Sequence, residues 1–362
     1  MIYHDKTNCL VMLGSDQQLQ FFDPIERRQK FALEAITENV ILGERTNKVR
    51  HSVLELFDIN CDWIATIEKR WDNVYNMKLW KFHENNFILN TAIRDVHASE
   101  VKSIKFISRE MVLTCGTDGI ARLWKFIEQS WILLKAFNYL KLIPICGISS
   151  HDNTVLAISY GPVVIIYNLK TLEILSTLVS KNIQDPCTTL TFGLGQHASK
   201  LLCATSKGVF IWDLLSLRLI GQMDTEQSLV YSNEKQLILF SKDGLFKIEP
   251  SLKSVKISLI NDQVNGLTLD QRNQRLYYVD SSNSMKNVLK YISLSKDSEM
   301  INQTKPEEEI VPGLGLRFNQ LTVNNLNEDI FYARNEAQIV PDMITQKVSN
   351  CSEMIIKRML PR

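Results

Sequence analysis

The sequence predicts an all-β fold, a propeller of about seven four-stranded blades with a short C-terminal helix or tail, and three observations lead there. Short apolar runs close on an aromatic residue at a regular interval. Turns rich in glycine or aspartate part the runs inside each interval. Two successive intervals also share the tripeptide Trp-Lys-Phe, at Trp80-Lys81-Phe82 and Trp124-Lys125-Phe126.

The interval is set by Lys78-Leu79-Trp80, Arg122-Leu123-Trp124, Ile165-Ile166-Tyr167 and Phe210-Ile211-Trp212. Their repeat-signature aromatics, Trp80, Trp124, Tyr167 and Trp212, stand 44, 43 and 45 positions apart. That is the ~40–45-residue period of a WD-type blade. Each unit must then hold four short strands, because one blade is one small sheet.

Taken in order, Cys9 to Phe31 reads as a degenerate first unit. The second runs from Val53 to Asn90, with Asp62-Trp63-Ile64-Ala65-Thr66 as its second strand and a turn lengthened over Lys69 to Asn76. The third is the plainest: Val101 to Ile107 as inner strand, Met111 to Cys115 as second, Ile120 to Phe126 as third, Trp131 to Phe137 as outer. Gly116-Thr117-Asp118-Gly119 supplies its tight turn, where glycine adopts φ > 0 at no steric cost. Pro144 to Val179, Cys187 to Met223 and Ser228 to Ser258 follow, turning at Tyr160-Gly161-Pro162, Ser206-Lys207-Gly208 and Lys242-Asp243-Gly244. Val264 to Leu294 reads as a degenerate last unit, and Ser295 to Ile310, with Lys305-Pro306-Glu307-Glu308-Glu309, as a surface loop.

The propeller is thus expected over residues 1–312, and a C-terminal extension over 313–362. There Pro341 precedes Met343, Ile344, Val348, Ile355, Ile356, Met359 and Leu360, a pattern compatible with an amphipathic helix over 341–360. If the N-terminal strands complete the last blade, the two chain ends meet and lock the circle.

Composition narrows the function classes. With 45% hydrophobic residues the chain can bury a large core, and its 41 basic against 40 acidic residues create no global field toward nucleic acid or an anionic membrane. The start lacks a signal-peptide layout and the longest apolar runs are too short for a bilayer, so a soluble intracellular protein with no membrane partner is expected. Seven cysteines, scattered singly without C-x-x-C, fit reduced thiols.

One constellation stands out: His97, Thr114, Asp118 and Trp124. It resembles the WD-repeat set of a histidine before the inner strand, a hydroxyl on the second, an aspartate in the next turn and a tryptophan on the third, joined as a buried hydrogen-bond relay. Asp118 lies four residues after Thr114 and six before Trp124. A structural role is expected rather than a catalytic His/Asp pair, since no nucleophile sits beside it. Ser149-Ser150-His151-Asp152 has the residue types of a triad, but a contiguous run cannot assemble the geometry, so a turn is expected. His4, His51, His83 and His197 lack metal-ligand spacing, Gly193-Leu194-Gly195 lacks a phosphate-loop continuation, and no cofactor is expected. Lys69, Arg70 and Trp71 could neutralise and stack on RNA, or fold back on their own blade.

An ordered series of motifs goes further. Gly14-Ser15-Asp16-Gln17-Gln18-Leu19-Gln20-Phe21-Phe22, Asp62-Trp63-Ile64-Ala65-Thr66-Ile67-Glu68, Met77-Lys78-Leu79-Trp80-Lys81-Phe82, Phe87-Ile88-Leu89-Asn90-Thr91, His97, and Thr117-Asp118-Gly119 with Trp124 resemble, in that order, the second propeller of the WD repeat-containing protein 75 (U3 small nucleolar RNA-associated protein 17) family. Gln17 stands where that family usually has a glycine. The resemblance covers about residues 10 to 250 and implies a non-enzymatic scaffold of the small-subunit processome in the nucleus and nucleolus. It implies other processome and WD-repeat subunits, pre-rRNA and the U3 small nucleolar ribonucleoprotein as partners, and a role in 18S pre-rRNA processing and RNA polymerase I transcription. The family has two propellers in tandem, and since the resemblance is to the second alone, the first is expected to be absent from this chain. The alternative is a WD-repeat adaptor elsewhere, a ubiquitin-ligase receptor or trafficking scaffold, because one fold serves many partners.

Overall fold

The computed structural model describes residues 1–14, 18–36 and 52–224, and beyond them the strand segments 229–232, 237–241, 244–248, 254–258, 264–270, 275–280, 288–293 and 307–309. These form seven four-stranded antiparallel sheets in which strands pair with their sequence neighbours. Blade 1 is Ile2–His4, Cys9–Leu13, Gln18–Asp23 and Arg28–Glu34. Blade 2 is Val53–Ile59, Trp63–Lys69, Tyr75–His83 and Asn86–Ile93. Blade 3 is Val101–Ser108, Met111–Gly116, Ala121–Ile127 and Ser130–Phe137.

Blade 4 is Pro144–Ser149, Val155–Tyr160, Val163–Asn168 and Ile174–Leu178. Blade 5 is Thr189–Phe192, Lys200–Ala204, Gly208–Asp213 and Arg218–Asp224. Blade 6 is Leu229–Ser232, Leu237–Ser241, Gly244–Ile248 and Ser254–Ser258. Blade 7 is Val264–Asp270, Arg275–Asp280, Val288–Ser293 and Glu307–Glu309.

Position within a blade decides which residues a strand can carry. The second strand of blade 4, Val155–Tyr160, is buried at every residue because both its faces pack against neighbouring blades. A strand covered on both faces reads as a continuous apolar run. The outer strand of blade 3 buries Trp131 and Phe137 and exposes the residues between them. A four-stranded sheet cannot bury its own faces, so the core lies between blades. Phe21 and Leu19 of blade 1 meet Ile64 and Trp80 of blade 2; Met77 meets Val112 and Trp124 of blade 3; Leu123 meets Leu156 and Tyr167 of blade 4. Ile166 of blade 4 meets Leu201 and Trp212 of blade 5, and Ile211 meets Leu239 of blade 6. Each fully buried aliphatic or phenyl side chain contributes about 1.5–3 kcal/mol.

Blade 7 packs on blade 1, closing that side of the ring: Tyr277, Val279 and Leu289 lie against Tyr3, Leu10 and Phe22, and Tyr3 N–H donates to Thr268 Oγ1 at 3.0 Å. The expectation that the N-terminal strands complete the last blade is therefore corrected. Blade 1 is contiguous from Ile2, blade 7 ends on its own downstream strand, and side-chain packing joins them. A second correction concerns Glu307–Glu309, expected in a loop. It pairs antiparallel with Leu289, Lys290 and Tyr291 as an outer strand. An outermost strand has water on one side, so low hydrophobicity does not disqualify it. The lengthened turn of blade 2 also shortens, since Lys69, Tyr75 and Asn76 belong to strands. The expected extension over 313–362 and helix over 341–360 lie outside the described residues. Among the described residues no helix is long and apolar enough to cross a membrane.

Candidate functional site

The turn of blade 3 between Met111–Gly116 and Ala121–Ile127 brings His97, Thr114, Asp118 and Trp124 together. Trp124 Nε1–H donates to Thr114 Oγ1 at 3.1 Å. The Thr114 hydroxyl lies 2.9 Å from His97 Nε2, and His97 Nδ1 lies 3.0 and 3.1 Å from the two Asp118 oxygens. Because tryptophan offers only a donor and a carboxylate only acceptors, the chain runs one way: indole to hydroxyl, hydroxyl to Nε2, Nδ1–H to carboxylate. Asp118 also accepts from Arg122 Nη1 at 2.8 Å and from the Ile120 amide at 3.2 Å. Arg122 Nη1 further contacts His97 Nδ1.

The electrostatics fit this direction. Burial holds His97 below the ordinary imidazole range despite Asp118, so the ring is the neutral tautomer that can both accept and donate. Burial pushes Asp118 upward, yet the hydrogen bonds from Arg122 and His97 outweigh it and keep the carboxylate ionised. Gly116 makes room for the ring: a Cβ there would lie 2.2 Å from His97 Nδ1. Gly119 holds the turn at φ +81°, where a side chain is disfavoured.

The sequence expectation that no nucleophile sits beside the pair needs correcting. Thr114 occupies the nucleophile's place in an Asp–His–hydroxyl arrangement. What disables it is its setting, since Thr114 is fully buried and its oxygen already receives the Trp124 N–H. No substrate carbonyl can reach it. The four residues hold a turn and two strands in register.

The other signature aromatics show the relay decaying around the ring. Judged by strand pairing, the place of Thr114 is taken by Thr66 in blade 2, Ile158 in blade 4 and Cys203 in blade 5. Trp80 Nε1–H donates to Thr66 Oγ1 at 3.1 Å. The Tyr167 hydroxyl lies 3.5 Å from that of Tyr160, and among the described residues Trp212 Nε1 is buried without a hydrogen-bond partner.

Beside the Thr66–Trp80 bond blade 2 carries an ion pair of Glu68 with Lys78, which sequence reasoning missed; Lys78 stands in the place of Arg122. Lys78 Nζ sits 2.8 Å from Glu68 Oε2 and donates to the Ala35 carbonyl of the segment after blade 1, also at 2.8 Å. The available signal was the shared pair Thr66 and Trp80. It was masked because longer paired strands in the blade 2 hairpin space them by 14 residues where Thr114 and Trp124 are spaced by 10.

Lys69, Arg70 and Trp71 lie at the tip of the same blade. Lys69 Nζ is 3.5 Å from Glu55 and stands over the Tyr75 ring, Arg70 Nη2 is 3.4 Å from Asp72, and Trp71 is about half exposed. Both cations thus have carboxylates on their own blade. Ser150 Oγ donates to Asp152 Oδ1 at 2.7 Å inside the turn between the first two strands of blade 4. His197 is buried, accepts from Lys200 through Nδ1 at 3.1 Å, and is held at about 4 by burial and the lysine's charge. Among the described residues no three His, Cys, Asp or Glu side chains are grouped to hold a metal ion, and six cysteines are free thiols.

Comparison with known proteins places this ring. The family model described as the WD repeat-containing protein 75 second beta-propeller matches residues 1–247. The chain is 27% identical over 270 residues to WD repeat-containing protein 75 of Danio rerio, which covers 68% of this chain and 32% of that protein. It is 24% identical over 340 residues to the Mus musculus protein of that name, covering 85% of this chain and 40% of that one. The Homo sapiens protein is 28% identical over 236 residues, 59% of this chain and 28% of its own length. The chain therefore spans well under half of these relatives, and it belongs to the WD repeat-containing protein 75 family through that family's second β-propeller.

Proposed function

We propose that this propeller is a non-enzymatic scaffold of the small-subunit processome, in the early nucleolar subcomplex on the 5′ external transcribed spacer of pre-rRNA. Through that assembly it would support 18S pre-rRNA processing and RNA polymerase I transcription. The observation that carries the reading is the family match over residues 1–247. A rigid ring with outer strands facing solvent also suits binding by surfaces rather than by a pocket. The buried state of the Thr114–His97–Asp118 chain supports a role without catalysis. The partners are other processome and WD-repeat subunits, pre-rRNA and the U3 small nucleolar ribonucleoprotein, in the nucleus and nucleolus.

Lys69, Arg70 and Trp71 remain the proposed RNA contact. An RNA phosphate there would have to displace Glu55 and Asp72 from the two cations, which predicts weak and strongly salt-dependent binding. The test of the whole reading is purification of the tagged native protein from nuclear extract with identification of its companions. Processome subunits with pre-rRNA are expected. A cullin, coat or chromatin set without them would discard the reading and leave a WD-repeat adaptor in its place.

A further inference from the structure

The outer strands of the blades form the rim of the ring, and they are not alike. Blade 1 carries exposed Arg28, Lys30 and Glu34 on its outer strand, and blade 5 carries Arg218, Gln222 and Asp224. Charged and polar side chains of this kind keep an exposed edge from associating. Blade 3 lacks that protection. On Ser130–Phe137, Ile132, Leu133 and Leu134 stand 45, 47 and 40% exposed in succession, and Lys135 is the strand's one charged residue. The flanking outer strands extend the patch, with Ile88 and Leu89 of blade 2 and Ile174 of blade 4 each about half exposed. The Asn90 side-chain amide donates to the Gln129 carbonyl at 3.4 Å, tying the edges of blades 2 and 3 together. A contiguous apolar surface on an otherwise polar rim is the mark of a contact site.

Charge says what the contact is with. Glu128 stands before the three aliphatics and Lys135 after them, both exposed and neither in an ion pair among the described residues. A strand with an acid ahead of its apolar run and a base behind it is complementary to itself when reversed. A two-fold axis reverses it, carrying Lys135 of each copy toward Glu128 of the other while the aliphatics meet between them.

We propose that this rim is the contact between two copies of the chain, with the outer strands of blade 3 antiparallel about a two-fold axis near Leu133. A patch of roughly a few hundred Å² on each copy falls short of the about 800 Å² per partner of a stable complex, so the dimer is weak and forms in the micromolar range. The inference does not depend on the processome reading.

The test is sedimentation velocity of the full chain from about 1 to 200 μM. The monomer should pass to a dimer as concentration rises, and less readily at high salt, where the ion pairs are screened. Leu133→Glu sets two carboxylates near the axis and should weaken association at least about tenfold. Ile220→Glu, on the outer strand of blade 5, should leave it unchanged. Glu128→Lys and Lys135→Glu should each weaken it several-fold, and the two together should restore it. These charge variants alter exposed side chains only, so they decide the matter even if Leu133→Glu fails to fold. A monomer at every concentration, as when another segment or a different protein covers this rim, would overturn the proposal. So would a dimer indifferent to Leu133→Glu or equally sensitive to Ile220→Glu, or a double charge swap that associates as weakly as the single ones.

Discussion

Asp118 holds the relay together because it alone accepts from two side chains and a turn amide at once. Replacing it with alanine leaves His97 Nδ1–H and Arg122 without their acceptor inside a buried turn. Asp118→Ala should cost on the order of 1–3 kcal/mol. An unchanged urea midpoint would refute the relay's contribution. The histidines give a second prediction. Burial holds both His4 and His197 at about 4, against an unfolded value near 6.5. Between these values the unfolded chain binds the extra protons, so stability is full above about pH 6.5 and falls as pH drops toward 4. Each group contributes a loss on the order of 3 kcal/mol when the descent is complete. Urea unfolding free energy followed from pH 7.5 to 4 should show this slope. A flat profile would mean that these rings are protonated or exposed in the native state. At this scale the sequence was legible where a motif is local: the His97–Asp118 chain spans one blade. It was not legible where partners come from different blades. Nothing local tells that Lys78 will bond the Ala35 carbonyl, 43 positions away.

The strands themselves were largely readable, because each carries its face pattern within a few residues. Blade 3 emerges with nearly the expected bounds, since its alternation is clean and its turn has glycines. Blade 1 was read too short at both ends. Ile2–His4 is only three residues, too few to show a period, and Arg28–Glu34 is mostly polar, as an outer strand can be. The two hairpins linking third and outer strands in blades 2 and 3 carried no signal at all. Glu84-Asn85 and Glu128-Gln129 take φ of 46 and 69°, and 48 and 72°, as two-residue loops. Positive φ at both positions matches the right-handed twist of the flanking strands, but the usual Asn-Gly is missing. Glutamate and glutamine therefore carry a steric cost there that glycine avoids. Gln129→Gly should raise stability by roughly 0.5–1 kcal/mol, measured as the shift in urea midpoint. A loss of stability would show that the Gln129 side chain makes a contact worth more than the strain.

At the scale of the whole ring, stability rests on faces shared between blades, so the join where the chain's first blade meets its seventh is where cooperativity is most easily tested. Every other described inter-blade face joins blades that are neighbours in sequence. The face between blades 7 and 1 joins segments more than 250 residues apart, so its closure costs more chain entropy. Tyr3 contributes twice there: its ring is buried against Tyr277, Val279 and Leu289, and its amide donates to Thr268. Deleting residues 1–4 removes the inner strand of blade 1 and uncovers that face, leaving the blade 2 to blade 5 stack intact. Thermal unfolding should then change from one transition to two, with blades 1 and 7 losing structure first and the remaining stack melting near the original temperature. Thr268→Val, which keeps the volume and removes only the acceptor, should lower the midpoint without splitting the transition. A single sharp melt at the original temperature after the deletion would mean that the blade 1 to blade 7 face does not hold the circle. The blades would then behave as a linear stack whose neighbours suffice.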